Sequence, residues 1–403
     1  MALDRSVFPS IIKAHVEMAS KDHPAWNRRR SMYRCDPWED NQSTATQVLA
    51  PDSDLRTETG ALYAYVDTMI ASIVPPNPQV TCRARREILK LAAMYRAALI
   101  NDTFQRLNAE TVLWRGATHA SVYPRSIIKA VWSRKKGRPD FLVIDPRNFF
   151  FDMEASRWED IRYAIEVTVL TEAEFYARVP SVKKRNATGR VYDANVAKKV
   201  QFGSYPAWLK DPKTGRAELN EKSRSVFKWC VIFEVYDFTV PGGRYFHYSE
   251  GATEPLFEGD LPYVFVPNPF WLVKFNDNLE DEGGLSDAEI VENPVLRRDE
   301  LLSLELRHAQ STIPIPVVNE EDLDNPDQFL QQFATATGPG DVIRAKLKNG
   351  KNIDDVLGKT PTTQLPLSFA SMDQKLDQEI MFRLGMPQYT RGVAGQSAIA
   401  TEL

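Results

Sequence analysis

Three groups of side chains in this sequence have chemistry to offer. The first is acidic: Asp145, Asp152 and Glu154 stand close to Phe149, Phe150 and Phe151. Carboxylates in apolar surroundings can divide into a proton donor and a proton acceptor, the basis of acid–base hydrolysis. No motif marks a nucleophile to go with them, and Gly242-Gly243 and Gly283-Gly284 read as turns, not phosphate cradles. The second group is the five histidines, His15, His23, His119, His247 and His308, whose intervals match no metal-ligand pattern. The three cysteines, Cys35, Cys82 and Cys230, are odd in number and far apart, which argues against a disulfide framework and a cysteine zinc site. A structural role is the reading for all of these.

The third group is basic. Arg297, Arg298 and Arg307 lie in a stretch, residues 285–311, that also holds Asp287, Glu289, Glu292, Asp299, Glu300 and Glu305, three positive charges against six negative, or −3. Lys346, Lys348 and Lys351 surround Asn349-Gly350, the dipeptide of a tight hairpin turn. Arg28-Arg29-Arg30 is a short basic run that reads as a solvated helix face. The whole chain is acidic, at −4 over 403 residues. Tight phosphate binding needs a basic surface, so contact with DNA would have to be loose.

Positioning these residues requires an alternation of helical and extended segments. Apolar spacing predicts helices over residues 6–18, 57–73 and 86–113. A polar, arginine-rich stretch, residues 21–34, follows the first of these. From residue 126 the period changes to that of strands, at 127–132, 141–144, 162–170, 227–240, 244–248 and 263–266. Thr171 to Glu174 has the form of a capping box. Residues 177–205 are lysine-rich and read as a loop-rich insertion. After Gly283-Gly284 the helical period returns, with Ser286 or Asp287 as cap and Asn293-Pro294 as a second start or a kink. A compact mixed segment follows, with a short helix at 328–334 and a strand at 342–347. A last helix, 369–384, carries Phe369, Met372, Leu376, Ile380 and Leu384 on one face and ends at Gly385. Residues 1–13 lack the apolar stretch of a secretory leader, and no run approaches the ~18 apolar residues of a membrane span.

The order of helices, β-rich region, helix, small mixed module and helix resembles the portal (head-to-tail connector) proteins of tailed double-stranded DNA bacteriophages. Asp145-Pro-Arg-Asn-Phe-Phe-Phe-Asp152, then a strand and Leu170-Thr-Glu-Ala-Glu174, is similar to the family's wing. Gly284-Leu-Ser-Asp-Ala-Glu-Ile290, leading to Ile313-Pro314, is similar to the start of its first stem helix. Leu384-Gly-Met-Pro387, Gly392 to Gly395 and Ser397-Ala-Ile-Ala-Thr-Glu402 are similar to the stretch after its second stem helix. The matching segments cover about half the chain.

The resemblance implies an α+β portal fold. Residues 1–284 would be the wing, 285–311 the first stem helix, 312–367 an α/β clip, 368–385 the second stem helix, and 386–403 a tunnel loop and the start of a long helix. The family's long helix and crown lie beyond Leu403, so either the natural chain continues or this portal is shortened. The implied function is structural, without cofactor or catalysis: a ring, usually of twelve copies, in the capsid vertex. Double-stranded DNA is pumped in by the terminase large subunit and later ejected. The other implied partners are the major capsid protein and the head–tail adaptor or tail proteins. Arg297, Arg298, Glu305, Arg307, Lys375 and Arg391 would face the DNA channel, and Arg344, Lys346, Lys348 and Lys351 would face terminase or adaptor. A net negative stem wall would keep DNA from adhering. The bland alternative for the stem arginines is a solvated face or ion pairing between subunits, and for the lysines a solubilised hairpin tip. Two other functions compete: another virion connector or baseplate protein, against which the helix–module–helix order speaks, and a carboxylate-dependent hydrolase, which lacks a motif.

Overall fold

The computed structural model describes residues 3–35, 59–133, 137–179, 191–209, 226–261, 268–278, 282–311, 316–318, 327, 331, 357–359 and 368–385. It is α+β. Among the described residues the chain opens with helices α1 (Phe8–Tyr33), α2 (Ala61–Ile73), α3 (Lys90–Leu107) and α4 (Ala109–Val122). Strands β1 (Ser126–Ser133), β2 (Arg138–Ile144), β3 (Phe149–Phe151) and β4 (Tyr163–Thr171) follow. The short helices α5 (Glu172–Ala177) and α6 (Ala194–Ala197) precede β5 (Trp229–Asp237), β6 (Arg244–Ser249), β7 (Phe257–Asp260) and β8 (Phe270–Val273). The last described elements are helix α7 (Asp287–Ser311), strands β9 (Pro316–Val318) and β10 (Leu357–Lys359), and helix α8 (Ser368–Arg383).

Helix α1 is longer than its sequence pattern suggests. Its buried side chains, Phe8, Ile12, His15, Ala19, His23, Trp26, Arg29 and Met32, recur every three or four residues along all 26 positions. Polar types in the second half of that stripe hide it from a hydrophobicity count, and the helix runs through Pro24. The single helix expected over 86–113 is two: Asn108 sits in the left-handed region at φ 52° and turns the chain between α3 and α4. Asparagine tolerates that conformation better than most residues.

Strands β3-β4-β5-β6-β7 form one antiparallel sheet, and β2-β1-β8 form a second. The first is covered on both faces, which explains why eight of the nine residues of β5 are buried. Val231, Phe233 and Val235 pack with Phe8, Ile12 and Ala19 of α1 on one face. Tyr236, Phe149 and Phe151 meet Ile127, Ile144 and Phe270 of the second sheet on the other. Strict alternation along a strand sends neighbours to opposite faces, so a strand between two layers is apolar throughout. β7 and β8 have no counterpart among the expected strands, whereas the expected strand at 263–266 lies outside the described residues. The Gly242-Gly243 turn between β5 and β6 forms as expected, with both glycines at positive φ, and Thr171 with Glu174 closes a true capping box at α5.

The helices make a separate core. Met32 of α1, Leu62, Tyr65, Val66 and Ile70 of α2, Ala117 of α4, Ala288, Val291 and Val295 of α7 and Ile380 of α8 bury one another. Helix α7 is therefore rooted in the helical part of the molecule. Of the expected helix at 328–334 only Gln331, which is helical, is described; the strand at 342–347 and turn at Asn349-Gly350 lie outside the described residues.

Candidate functional site

Helix α7 begins just after a close approach of two backbone segments. Gly284 adopts φ +77°, and a Cβ there would stand 2.5 Å from the Pro124 carbonyl oxygen. Only glycine meets both demands. The next residues pair Asn276 with Leu285 in an isolated bridge. Of the two expected caps, Ser286 acts: its Oγ accepts from the Glu289 N–H at 3.1 Å. Asp287 is buried instead, accepting from the Asn276 side-chain amide at 2.8 Å, and burial raises its pKa. The helix continues through Pro294 without a second start.

The first half of α7 is bolted to α1. Arg29 donates through Nη1 to Glu289 at 2.8 Å and through Nε to Glu292 at 3.1 Å, and Arg28 pairs with the other oxygen of Glu292. The side chains of Arg29 and Glu292 are each only 9% exposed. This corrects the reading of Arg28-Arg29-Arg30 as a solvated face. Arg29 falls on the buried stripe of α1, in phase with Trp26 and Met32, and a buried guanidinium must find carboxylates.

The second half of α7 is clamped to α8. Arg298 donates through Nε and Nη2 to both oxygens of Asp373, at 2.7 and 3.3 Å, and through Nη1 to Asp377 at 2.7 Å. Further along, Arg383 of α8 donates to the Ile290 carbonyl at 3.2 Å. Because 290 lies by 383 and 298 by 373, the two helices run antiparallel. On the other side of α7, Asp299 accepts from the backbone N–H and hydroxyl of Thr59 at 2.8 and 2.7 Å; its burial raises its pKa. At the far end of the pair, β9 and β10 are antiparallel partners, Pro316 opposite Lys359 and Val318 opposite Leu357. They open and close the stretch between the helices.

The channel candidates thus separate. Arg297 and Lys375 are exposed and Glu305 is half-buried. Arg298 is turned into the α7–α8 clamp. The side chain of Arg307, and all of Arg344, Lys346, Lys348, Lys351 and Arg391, lie outside the described residues. The −3 counted over 285–311 does not describe a wall. Asp287 and Glu292 are buried, and Glu289 and Asp299 are bonded to Arg29 and Thr59. A charge count along a helix cannot separate charges that face solvent from charges spent on packing.

The acidic set considered for hydrolysis is likewise paired with arginines. Asp145 accepts from the Arg147 backbone N–H and guanidinium at 3.0 and 2.7 Å. Asp152 and Glu154 both accept from Arg162, at 2.8 and 2.6 Å. Burial works against the charge on Asp145 and Asp152, yet Arg147 and Arg162 hold both carboxyls below the ordinary range. Neither is kept protonated for use as an acid. A different carboxylate pair has the opposite character. Glu166 of β4 stands directly opposite Glu234 of β5, with Lys129 bonded to Glu166 and to the Tyr236 hydroxyl. Burial raises the pKa of Glu166 in spite of Lys129. These groups lie between the two sheets, away from the cavity of about 300 Å3 that His15, Trp26, Arg29, Arg125 and Phe150 line. Strand alternation in β4 and β5 was the signal for this pairing, but its register is invisible in sequence. Among the described residues no group of histidine, cysteine and carboxylate side chains could hold a metal ion, and no helix is long and apolar enough to cross a membrane.

No family model matches the chain, and no curated protein matches it. Among solved structures, it is similar to a chain in the neck of an empty GTA particle computed with C6 symmetry, at 11% identity and a TM-score of 0.41. The similarity covers 89% of this chain and 72% of that one.

Proposed function

We propose that the protein is the portal of a tailed-phage-like particle, a closed ring at the capsid vertex through which double-stranded DNA is packaged and ejected. One observation carries the reading. Two antiparallel helices, α7 and α8, rise from the helical core and flank an intervening segment whose two ends are paired by β9 and β10. Together with the motif order along the chain, that is the stem–clip–stem plan of a portal. The segment 312–367 is then the clip that meets the terminase large subunit and later the head–tail adaptor or tail. The layers before residue 284 are the wing against the major capsid protein.

In this reading the stem is stiffened within each subunit before the ring forms. Arg29 fixes its root and Arg298 its upper half, so both helices keep one register while DNA moves past. Arg297 and Lys375 are exposed on the pair and are the described candidates for transient phosphate contact. Loose contact suits a conduit, because each neutralised phosphate adds affinity and would slow translocation.

The test is the assembled mass and projection symmetry of the purified protein, by light scattering and single-particle imaging. A closed ring near twelvefold, with a central hole wide enough for duplex DNA, is the expected result. A stable monomer or dimer of the full natural chain would overturn it and reopen the connector and hydrolase alternatives.

A further inference from the structure

Helix α3 has two apolar faces and uses one. Its inner face rests on the molecule: Asn101 exchanges hydrogen bonds with the backbone of Val80, and Phe104 meets Phe141 of β2 edge to face at 6.2 Å. On the opposite side, Leu91, Tyr95 and Leu99 are 63%, 69% and 67% exposed, in line with Ile88 at 87% in the turn just before the helix. The spacing of three or four residues places them on one stripe. No residue of α3 is buried. A helix apolar on opposite faces is built to be covered on both.

The sheet that α3 packs against has an exposed apolar area of its own. Phe141 lies opposite Ala130, Pro139 opposite Trp132, and Ile128 opposite Trp271, so these side chains share one face of the second sheet. On that face Trp132 is 64% and Trp271 46% exposed. A helix of 18 residues is about 27 Å long, and its flank alone falls short of the roughly 800 Å2 per partner of a stable interface. Helix and sheet face together come closer to that requirement.

Charge identifies the occupant. Arg83, Arg85, Arg86, Lys90 and Arg96 against Glu87 give residues 83–96 a charge of +4. The whole chain is −4, so the remainder carries −8. A surface that is both basic and apolar fits a protein surface that offers carboxylates, and this chain carries exposed ones, Glu159, Asp160 and Glu172 among them. Duplex DNA would use the arginines and leave Ile88, Leu91 and Leu99 in water. An interfacial membrane helix sets a polar face opposite its apolar one, whereas the opposite face of α3 is packed on β2.

We infer that α3, with the adjoining sheet face, is one side of the subunit–subunit contact and docks on a carboxylate-bearing surface of a second copy of this chain. The contact is heterologous, one patch meeting a different patch, which is the kind that closes into rings. The inference rests on the ring reading and names where neighbouring subunits meet.

The experiment compares the full chain with an L91E/Y95E variant by mass photometry and far-ultraviolet circular dichroism. A benzophenone amino acid at position 95 of the otherwise unchanged chain supplies the second measurement. The expected result is a ring for the parent and the 45.8 kDa monomer for the variant, with the same spectrum, because the changed side chains are largely in water. Photo-crosslinking from position 95 should give a dimer of this chain joined to an acidic segment, and raised salt should weaken the ring. A variant that keeps the parent's ring mass overturns the inference and leaves the portal reading intact. A parent that is monomeric at all concentrations overturns both. Crosslinks from position 95 to duplex DNA, or binding to phosphatidylglycerol vesicles that the variant loses, also overturn the inference.

Discussion

Arg29 and Arg298 each leave one helix to meet two carboxylates on another, yet they stand in different surroundings. Arg29 and Glu292 are 9% exposed, inside the junction of α1 and α7. Arg298 is 19% exposed and its partners Asp373 and Asp377 are 43% and 33% exposed. The buried cluster fixes where α7 leaves the body. The half-open one keeps α7 and α8 alongside each other, where water screens the charges and takes over part of the bonding if a partner is lost. Equal geometry therefore does not mean equal energy.

The largest effect should come from breaking the buried cluster. Arg29→Ala leaves Glu292 buried beside Arg28 alone, and should cost about 4 kcal/mol of unfolding free energy in a denaturant titration. A loss no larger than that of a surface arginine would show that α7 is rooted by its apolar side chains alone. Those side chains are not negligible, since burying Val291 and Val295 is worth roughly 1.5–3 kcal/mol each.

The buried region should also respond to acid. His15 stacks on Phe150 and its Nε2 is 3.0 Å from the Tyr163 hydroxyl. Burial, and then the charge of Arg125, push its pKa from 6.5 to about 4. The unfolded chain takes up that proton first, so stability present above pH 6.5 is lost as pH falls toward 4, by about 3 kcal/mol from this residue. His15→Phe should flatten that part of the pH–stability curve; an unchanged slope would exclude His15 as its source. Glu166 acts in the opposite sense. Its raised pKa favours the fold at low pH, and that contribution declines as pH climbs above 4.5.

Next comes the junction itself. Gly284→Ala places a Cβ against the Pro124 carbonyl and demands a positive φ, at a cost of about 2 kcal/mol. A melting temperature equal to the parent's would mean that the backbone can move at no cost. The smallest effect is expected at the outer clamp. Arg298→Ala should lower stability by only about 1 kcal/mol, while hydrogen exchange in α8 should speed up relative to α1. Uniform exchange across both helices would show that the clamp does not hold them together.

The sequence by itself determined the class of most elements. The change from helical to strand period near residue 126, the Gly242-Gly243 hairpin, the Thr171 capping box and the long last helix ending at Gly385 all follow from local rules that tertiary contacts reinforce. These features depend on backbone sterics and on side chains within a turn or two of each other. The tertiary structure alone decided what each charge does. In a linear reading Arg29 looks like a solvated helix charge, Arg298 like a channel residue and Asp287 like a cap, and these three and Asp299 all meet partners brought from elsewhere in the chain. The opposition of Glu166 and Glu234 depends on a register set by two sheets and a helix packing together. Helix α3 shows the converse: its apolar pattern predicts burial, and within one chain its outer stripe stays in water. Local pattern reports that a face is to be covered, because burial of apolar surface is non-directional. Which surface covers it depends on shape and charge assembled from distant residues.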